Sequence, residues 1–379
     1  MSNAIKTLSI EGFKSIRSLK NFKLRHLNVL IGANGAGKSN FVSFFRLLRE
    51  LIEQRLKFTV RAIEGGADAC LYLGPQITKR FTAKLWFGNN NGYEFALVPT
   101  VGNEFAFENE VVVFGAHRQG LGSGNPEAKL KDLKDKPGLS GRPHGVPFHV
   151  YEAISSWVVY HFHDTGIFAG VRREGPINDN KVLHPEAQNL AAFLYRIQQT
   201  RPDCYNRIRD AVRLAAPFFD DFKLRPVPAS PDLIQLEWLQ KDSDYPFRAH
   251  QLSDGTLRFI CLATALLQPV TPATMLFDEP ELGLHPYALT LLGNLFSQAD
   301  SNQIIVSTQS AALLSEFSPE DVIIVERYEG ESIFRRLDPS QLSEWLTEYS
   351  LGELWQKNVL GGRPRTEDSP QFVPDGDSQ

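Results

Sequence analysis

Cysteine is scarce: three residues in 379, Cys70, Cys204 and Cys261, lie far apart and form no CxxC pair. That excludes a disulfide framework and predicts a reducing, cytoplasmic setting. Long apolar runs are missing. The most apolar stretch, 259–277, is broken by Pro269 and Pro272, and a bilayer span needs roughly 18 uninterrupted apolar residues. No basic-then-apolar leader opens the sequence, so neither secretion nor membrane attachment is expected. An excess of basic charge is also missing. Lys plus Arg number 40 against 44 Asp plus Glu, a net charge of −4, which excludes a globally basic nucleic-acid binder but not a local basic patch. There is no internal repeat and no sustained heptad. What is present is ordinary for a globular chain: 42% hydrophobic and 22% charged residues. The length predicts two to three domains and a core that needs neither disulfides nor metals.

Strand-like segments are expected at 6–11, 16–22 and 28–31, followed by a helix over 39–55. Phe41, Phe44, Phe45, Leu48, Leu51 and Ile52 of that helix recur at helical spacing. Residues 70–115 read as β, with a hairpin turn at 88–92. The Gly-, Pro- and Lys-rich segment 116–149 reads as an exposed loop. A strand at 156–162, helices at 188–199 and 203–215, and a hairpin over 222–239 follow. The last third alternates: helix 255–267, strand 274–277, helix 286–298, strand 303–307, short helix 311–317 and strand 321–326. Strands alternating with helices predict an α/β core with a parallel sheet. The polar tail from about 361 reads as disordered.

Two motifs carry chemistry. Gly32-Ala-Asn-Gly-Ala-Gly-Lys-Ser39 fits G-x-x-x-x-G-K-[ST] between an apolar strand and an amphipathic helix. In such a loop the backbone of Asn34, Gly35, Ala36, Gly37 and Asn40 lies close to phosphate oxygens. Lys38 adds a positive charge there, and the Ser39 hydroxyl can bind Mg²⁺. The helix that follows points its positive end at the same anion. Met275-Leu-Phe-Asp-Glu279 is an apolar strand with two acids at its exit. A solvated turn would have the same composition. Beside a phosphate loop, Asp278 is the expected Mg²⁺ partner and Glu279 the expected acceptor of a proton from an attacking water.

Four segments add a resemblance. Gln251-Leu-Ser-Asp-Gly-Thr-Leu-Arg258 resembles the signature motif of ABC-type ATPases, with Ser253 and Gly255 at matching positions. Asp278-Glu-Pro-Glu-Leu-Gly-Leu-His-Pro286 resembles the Walker B and D-loop of the OLD, RecF and SMC-like branch. Ile10-Glu-Gly-Phe-Lys-Ser-Ile16 and Ile304-Ile-Val-Ser-Thr-Gln-Ser310 complete the set in the family's order.

The resemblance implies a P-loop NTPase of ABC type: a two-lobed α/β head with a mixed or parallel core sheet, an antiparallel β subdomain and a helical insert. The head would span 1–345, with core lobes 1–170 and 220–335, the insert at 186–218 and a C-terminal extension at 346–379. ATP and Mg²⁺ are the implied cofactors. ATP would lie between the loop of one head and Ser253 and Gly255 of a second, and Lys14 would approach it. The alternative is an ATP-loaded scaffold that hardly hydrolyses. Gln309 stands where many relatives carry a switch histidine, and an amide can hydrogen-bond phosphate without carrying charge. No heptad arm separates Ser39 from Ser253. About 50 residues follow Glu326, short for a nuclease domain, and Asp375 and Asp377 lack a preceding strand. Any nuclease is therefore expected to be a separate chain. DNA repair or antiviral defence is the implied setting.

Several features keep two readings each. Lys14, Arg17, Lys20, Lys23 and Arg25, and Lys129, Lys131, Lys134, Lys136 and Arg142, would contact DNA or RNA phosphates or form solvated faces. Arg172 and Arg173 have no assigned role. His161 and His163 share a strand face and serve a metal, packing or γ-phosphate sensing. Leu342, Trp345, Leu346, Tyr349 and Leu354 recur at roughly helical spacing over 340–355 and face the core or a partner.

Overall fold

The computed structural model describes residues 3–138, 144–299 and 302–361. Arg142 and the acids at 375 and 377 lie outside these residues, as does the expected disordered tail from 362 on.

Two six-stranded sheets organise the described residues. The first is antiparallel, in the order Ile16–Lys23, Ile5–Phe13, Phe81–Phe87, Asn91–Pro99, Phe105–Phe114, His117–Gly122. The second runs Glu331–Arg336, Val322–Tyr328, Leu27–Ile31, Gln303–Thr308, Thr274–Asp278, Trp157–Tyr160. All of its pairings are parallel except the edge hairpin 322–336. Such a sheet must be covered on both faces, and its strands accordingly read as unbroken apolar runs.

The two-residue alternation of a strand divides those runs between two cores. Leu30, Leu276, Ile305, Ile323 and Val325 face helix Lys38–Ile52, which is wedged between the two sheets. Phe13, Phe44 and Phe81 interlock there, the Phe13 and Phe81 centroids lying 4.9 Å apart. On the opposite face Val29, Ile31, Met275, Phe277, Ile304 and Val306 pack on helices Leu190–Thr200, Pro202–Ala215, Asp254–Leu267 and Pro286–Ser297. The helix that follows the phosphate loop is thus fixed by a core of its own.

The segment read as a loop over 116–149 carries regular structure among its described residues. Strand His117–Gly122 extends the antiparallel sheet, and helix Val146–Ser155 returns beneath it. One physical cause is Glu110, fully buried, which accepts from the Tyr93 hydroxyl at 2.8 Å and from the amides of Lys129 and Leu130 at 2.8 and 3.2 Å. A buried carboxylate so satisfied pins a Gly/Lys-rich segment that has few apolar residues of its own. The expected hairpin over 222–239 is split between two small sheets, with Phe219–Phe222 and Glu237–Gln240 in one and Pro226–Val227 and Ser230–Ile234 in the other. The periodic stretch 340–355 is not one helix. It forms turns at Pro339–Leu342 and Trp345–Thr347 and then helix Leu351–Gln356, burying Leu342 and Leu354 but leaving Trp345 exposed. No described helix is long and apolar enough to cross a membrane.

Candidate functional site

Parallel pairing brings the expected site residues to one edge. Ile31 pairs with Thr308, Asp278 with Ser307, and Phe277 with Tyr160. The phosphate loop, the acid pair, the 309 turn and His161 therefore leave four adjacent strands at the same level, the carboxyl edge where open α/β sheets bind ligands.

Within the loop, Lys38 is 4% exposed and donates to the carbonyls of Gly32 (2.6 Å) and Ala33 (3.2 Å). Burial pushes its pKa down, and the carboxylates of Glu279, Asp278 and Glu281 oppose that shift. Asn34, Gly35 and Ser39 are exposed, whereas Ala36 and Gly37 are buried. Gly37 sits at φ 114°, and a Cβ there would drive into Ser332 Oγ and lie 2.8 Å from Ser15 Oγ. Ser332 itself donates to the Ala36 carbonyl at 2.6 Å, and its Oγ lies in hydrogen-bond contact with the Ser15 hydroxyl at 2.7 Å. It lies on strand Glu331–Arg336, a strand the sequence reading missed. Asn40 reaches Ser15 Oγ at 2.6 Å, so its side chain braces the loop from beneath. Exposed Arg327, on the same edge hairpin, donates to the Gly35 carbonyl at 3.2 Å.

The acid pair divides its work by backbone geometry. Asp278 ends its strand, and its Oδ1 is buried without a hydrogen-bond partner. Glu279 turns to φ 43° and donates its amide to the Ser307 carbonyl at 2.7 Å. A non-glycine residue in the left-handed region marks a locally strained, over-determined position. Gln309 joins the two glutamates. Its side-chain amide donates to Glu279 Oε1 and its backbone amide to Glu281 Oε1, the latter at 2.7 Å. Burial pushes the Glu281 carboxyl up.

At the signature segment, Ser253 caps helix Asp254–Leu267 by accepting from the Thr256 amide at 3.1 Å. Ser253 is exposed and the helix N-terminus is open to solvent, the arrangement that favours an incoming anion. Gly255 has a packing reason: any Cβ would drive into the Gly283 carbonyl. Gly255→Ala is expected to cost about 1–3 kcal/mol by overpacking, read as a lower urea midpoint. An unchanged midpoint would mean that the helix start gives way freely.

Two arginines tie this segment to the sheet edge. Arg172 donates to Thr165 O at 2.6 Å, to Ala249 O and Leu252 O, and pairs with Asp254 at 2.6 Å. Arg258, 7% exposed, donates to Phe162 O (2.8 Å), His163 O (2.9 Å) and Leu282 O. Its fork therefore links the signature helix, the histidine strand exit and the segment after the acid pair.

Residues 146–315 match the family described as "AAA domain, putative AbiEii toxin, Type IV TA system". The structure "SmcHead bound to the C-winged helix domain of ScpA" superposes with a TM-score of 0.59 at 13% identity, covering 89% of this chain and 99% of that one. An Smc head with an extended coiled coil, bound to the C-terminal domain of ScpA from Pyrococcus furiosus, gives 0.55 at 12% identity, covering 91% and 98%. The described residues share the α/β fold of these Smc heads, with mixed and antiparallel sheets, and the AAA-domain match lies within it. No curated protein matches it.

Elsewhere the head departs from expectation. Lys14 does not lie free beside the loop. It pairs with Glu64 at 2.6 Å and donates to Ser43 at 2.9 Å, because the carboxylate of Glu64 is buried and needs a cation. Several cations of the basic clusters are likewise engaged: Lys20 with Glu11, Lys129 with Asp132, Lys131 with Glu53 and Lys134 with Asp135. His161 and His163 lie with ring centroids 6.3 Å apart, and no cluster of three or more metal-ligating side chains occurs among the described residues. Burial and the nearby Arg46 cation push the His161 pKa down. Its Nε2 is buried and unpartnered.

Proposed function

We propose that this head is a magnesium-dependent, ATP-hydrolysing switch in which two copies close on nucleotide. It would work with a separately encoded effector protein such as a nuclease, or with nucleic acid, in DNA repair or antiviral defence. The observation that carries the reading is the row of strand ends that sets a buried Lys38 beside an unpartnered Asp278 oxygen and the turned-out Glu279. The pairing of Lys20, Lys129, Lys131 and Lys134 with acids favours a protein effector over nucleic acid. The two Smc head structures, each described as bound to part of ScpA, a separate chain, support the same preference.

The residues fit the chemistry. The loop amides and Lys38 would hold the β- and γ-phosphates by charge-assisted hydrogen bonds. Asp278 and Ser39 would hold Mg²⁺, and the orphan oxygens of Asp278 and Ser307 suit an ion with its water shell. Bound there, the ion would offset charge on the triphosphate. Glu279 would take the proton of a water whose oxygen bonds to the γ-phosphorus as the β–γ bridging P–O bond breaks and ADP leaves. Ser253 and the helix start beyond it would grip the γ-phosphate from the second copy. Loss of that phosphate removes contacts made by both heads, so the pair opens.

A non-hydrolysing scaffold is the second reading, favoured by the Gln309 amide already seated on Glu279. Single-turnover phosphate release separates them. Mg²⁺-dependent release from a saturated head supports the switch, and release at background supports the scaffold.

A further inference from the structure

Glu281 stands two residues past the proposed general base, and the reaction as written gives it no task. Its placement is nonetheless specific. Oε1 accepts the backbone amide of Gln309 at 2.7 Å, while Oε2 is buried without any partner. Carrying an unpaired carboxylate oxygen out of water is costly, so a residue tolerated only for packing would not need to be an acid. The Glu281 bond is one of four links between the 279–282 turn and the 307–310 turn, and the Thr308 side chain makes another hydrogen bond to the same carboxyl. The others are the Glu279 amide on the Ser307 carbonyl at 2.7 Å and the Gln309 side-chain amide on Glu279 Oε1. Gln309 therefore touches one glutamate with its backbone and the other with its side chain. The first contact fixes where the second can be made.

We propose that Glu281 is a positioning residue: it anchors the Gln309 backbone so that the Gln309 side-chain amide holds one oxygen of Glu279 and leaves the other oxygen to face water. The geometry does two things. It selects one carboxylate rotamer at a residue whose backbone is already in the left-handed region. It also keeps the Gln309 amide within reach of the place where a γ-phosphate would sit, so that nucleotide and base compete for the same donor. Orientation of this kind acts on the chemical step and leaves ground-state binding alone. The role rests on the ATP-hydrolysing reading, but the anchoring itself can be measured without turnover.

The test uses the full chain and three variants. Glu281→Ala is expected to lower kcat about tenfold or more while the affinity for Mg-ATP changes less than threefold. Glu281→Gln retains a carbonyl oxygen for the Gln309 amide and is expected to recover kcat to within about threefold. In a Gln309→Ala background, adding Glu281→Ala is expected to cost little more, because a residue acting through another loses its effect when that other is gone. Hydrogen exchange over the 303–314 segment gives the parallel readout: faster exchange in Glu281→Ala, wild-type protection in Glu281→Gln. Wild-type exchange in Glu281→Ala, or fully additive losses in the double variant, overturns the proposal. Absence of turnover in the wild-type head with the exchange pattern intact would instead strike the hydrolytic reading and leave the anchor standing.

Discussion

Replacing Lys38 with alanine is expected to weaken Mg-ATP binding by about 100-fold or more, which corresponds to roughly 2.7 kcal/mol. Charge-assisted hydrogen bonds contribute about 1.5–3 kcal/mol each, and the ammonium would reach two phosphates. The ammonium donates to the loop's own Gly32 and Ala33 carbonyls, which hold it at the loop. Because Lys38 is buried, the substitution also removes packing under the loop. Lys38→Met fills nearly the same volume without the charge and separates the two effects. Equilibrium binding to a fluorescent ATP analogue, with thermal melting as the fold control, reads both variants. Methionine binding as tightly as lysine would remove the electrostatic assignment.

Glu279→Gln is expected to cut turnover by about 10²–10⁴-fold, the usual worth of a positioned base, with nucleotide affinity unchanged within about threefold. The swap is nearly isosteric. A glutamine carbonyl can still accept from the Gln309 amide that now bonds Glu279 Oε1, so the turn keeps its shape while the proton acceptor is lost. Steady-state and single-turnover phosphate release measure the loss. Turnover within threefold of wild type would show that water is activated elsewhere.

Much of this site was legible in the sequence because its parts are local. Gly32 to Ser39 is a contiguous loop, and Asp278 and Glu279 end a contiguous strand. The 2- and 3.6-residue periods around them set which face each element buries. Residues that join distant segments were less legible. Ser332 reaches the loop from about 300 residues away, on an edge strand with too few apolar residues to announce itself. Arg172 and Arg258 bond mainly to backbone carbonyls, and a carbonyl leaves no signature in residue type. The partner of Lys14 was hidden for the converse reason: its motif position is intact, yet Glu64, which pairs with it, lies 50 positions on. The order in 116–138 draws on buried Glu110 and on Glu127, which accepts from the Leu56 and Lys57 amides, and composition alone does not reveal such long-range bonds.

In the proposed switch, two copies of this head grip one nucleotide between the phosphate loop and the opposite Ser253. Sedimentation of the Glu279→Gln head with Mg-ATP, and with Mg-ADP as control, reads this out. A shift from one copy to two is expected with ATP alone, abolished when Ser253 is also replaced by arginine. A single copy in both nucleotides, at concentrations where ATP binding is saturated, would contradict it.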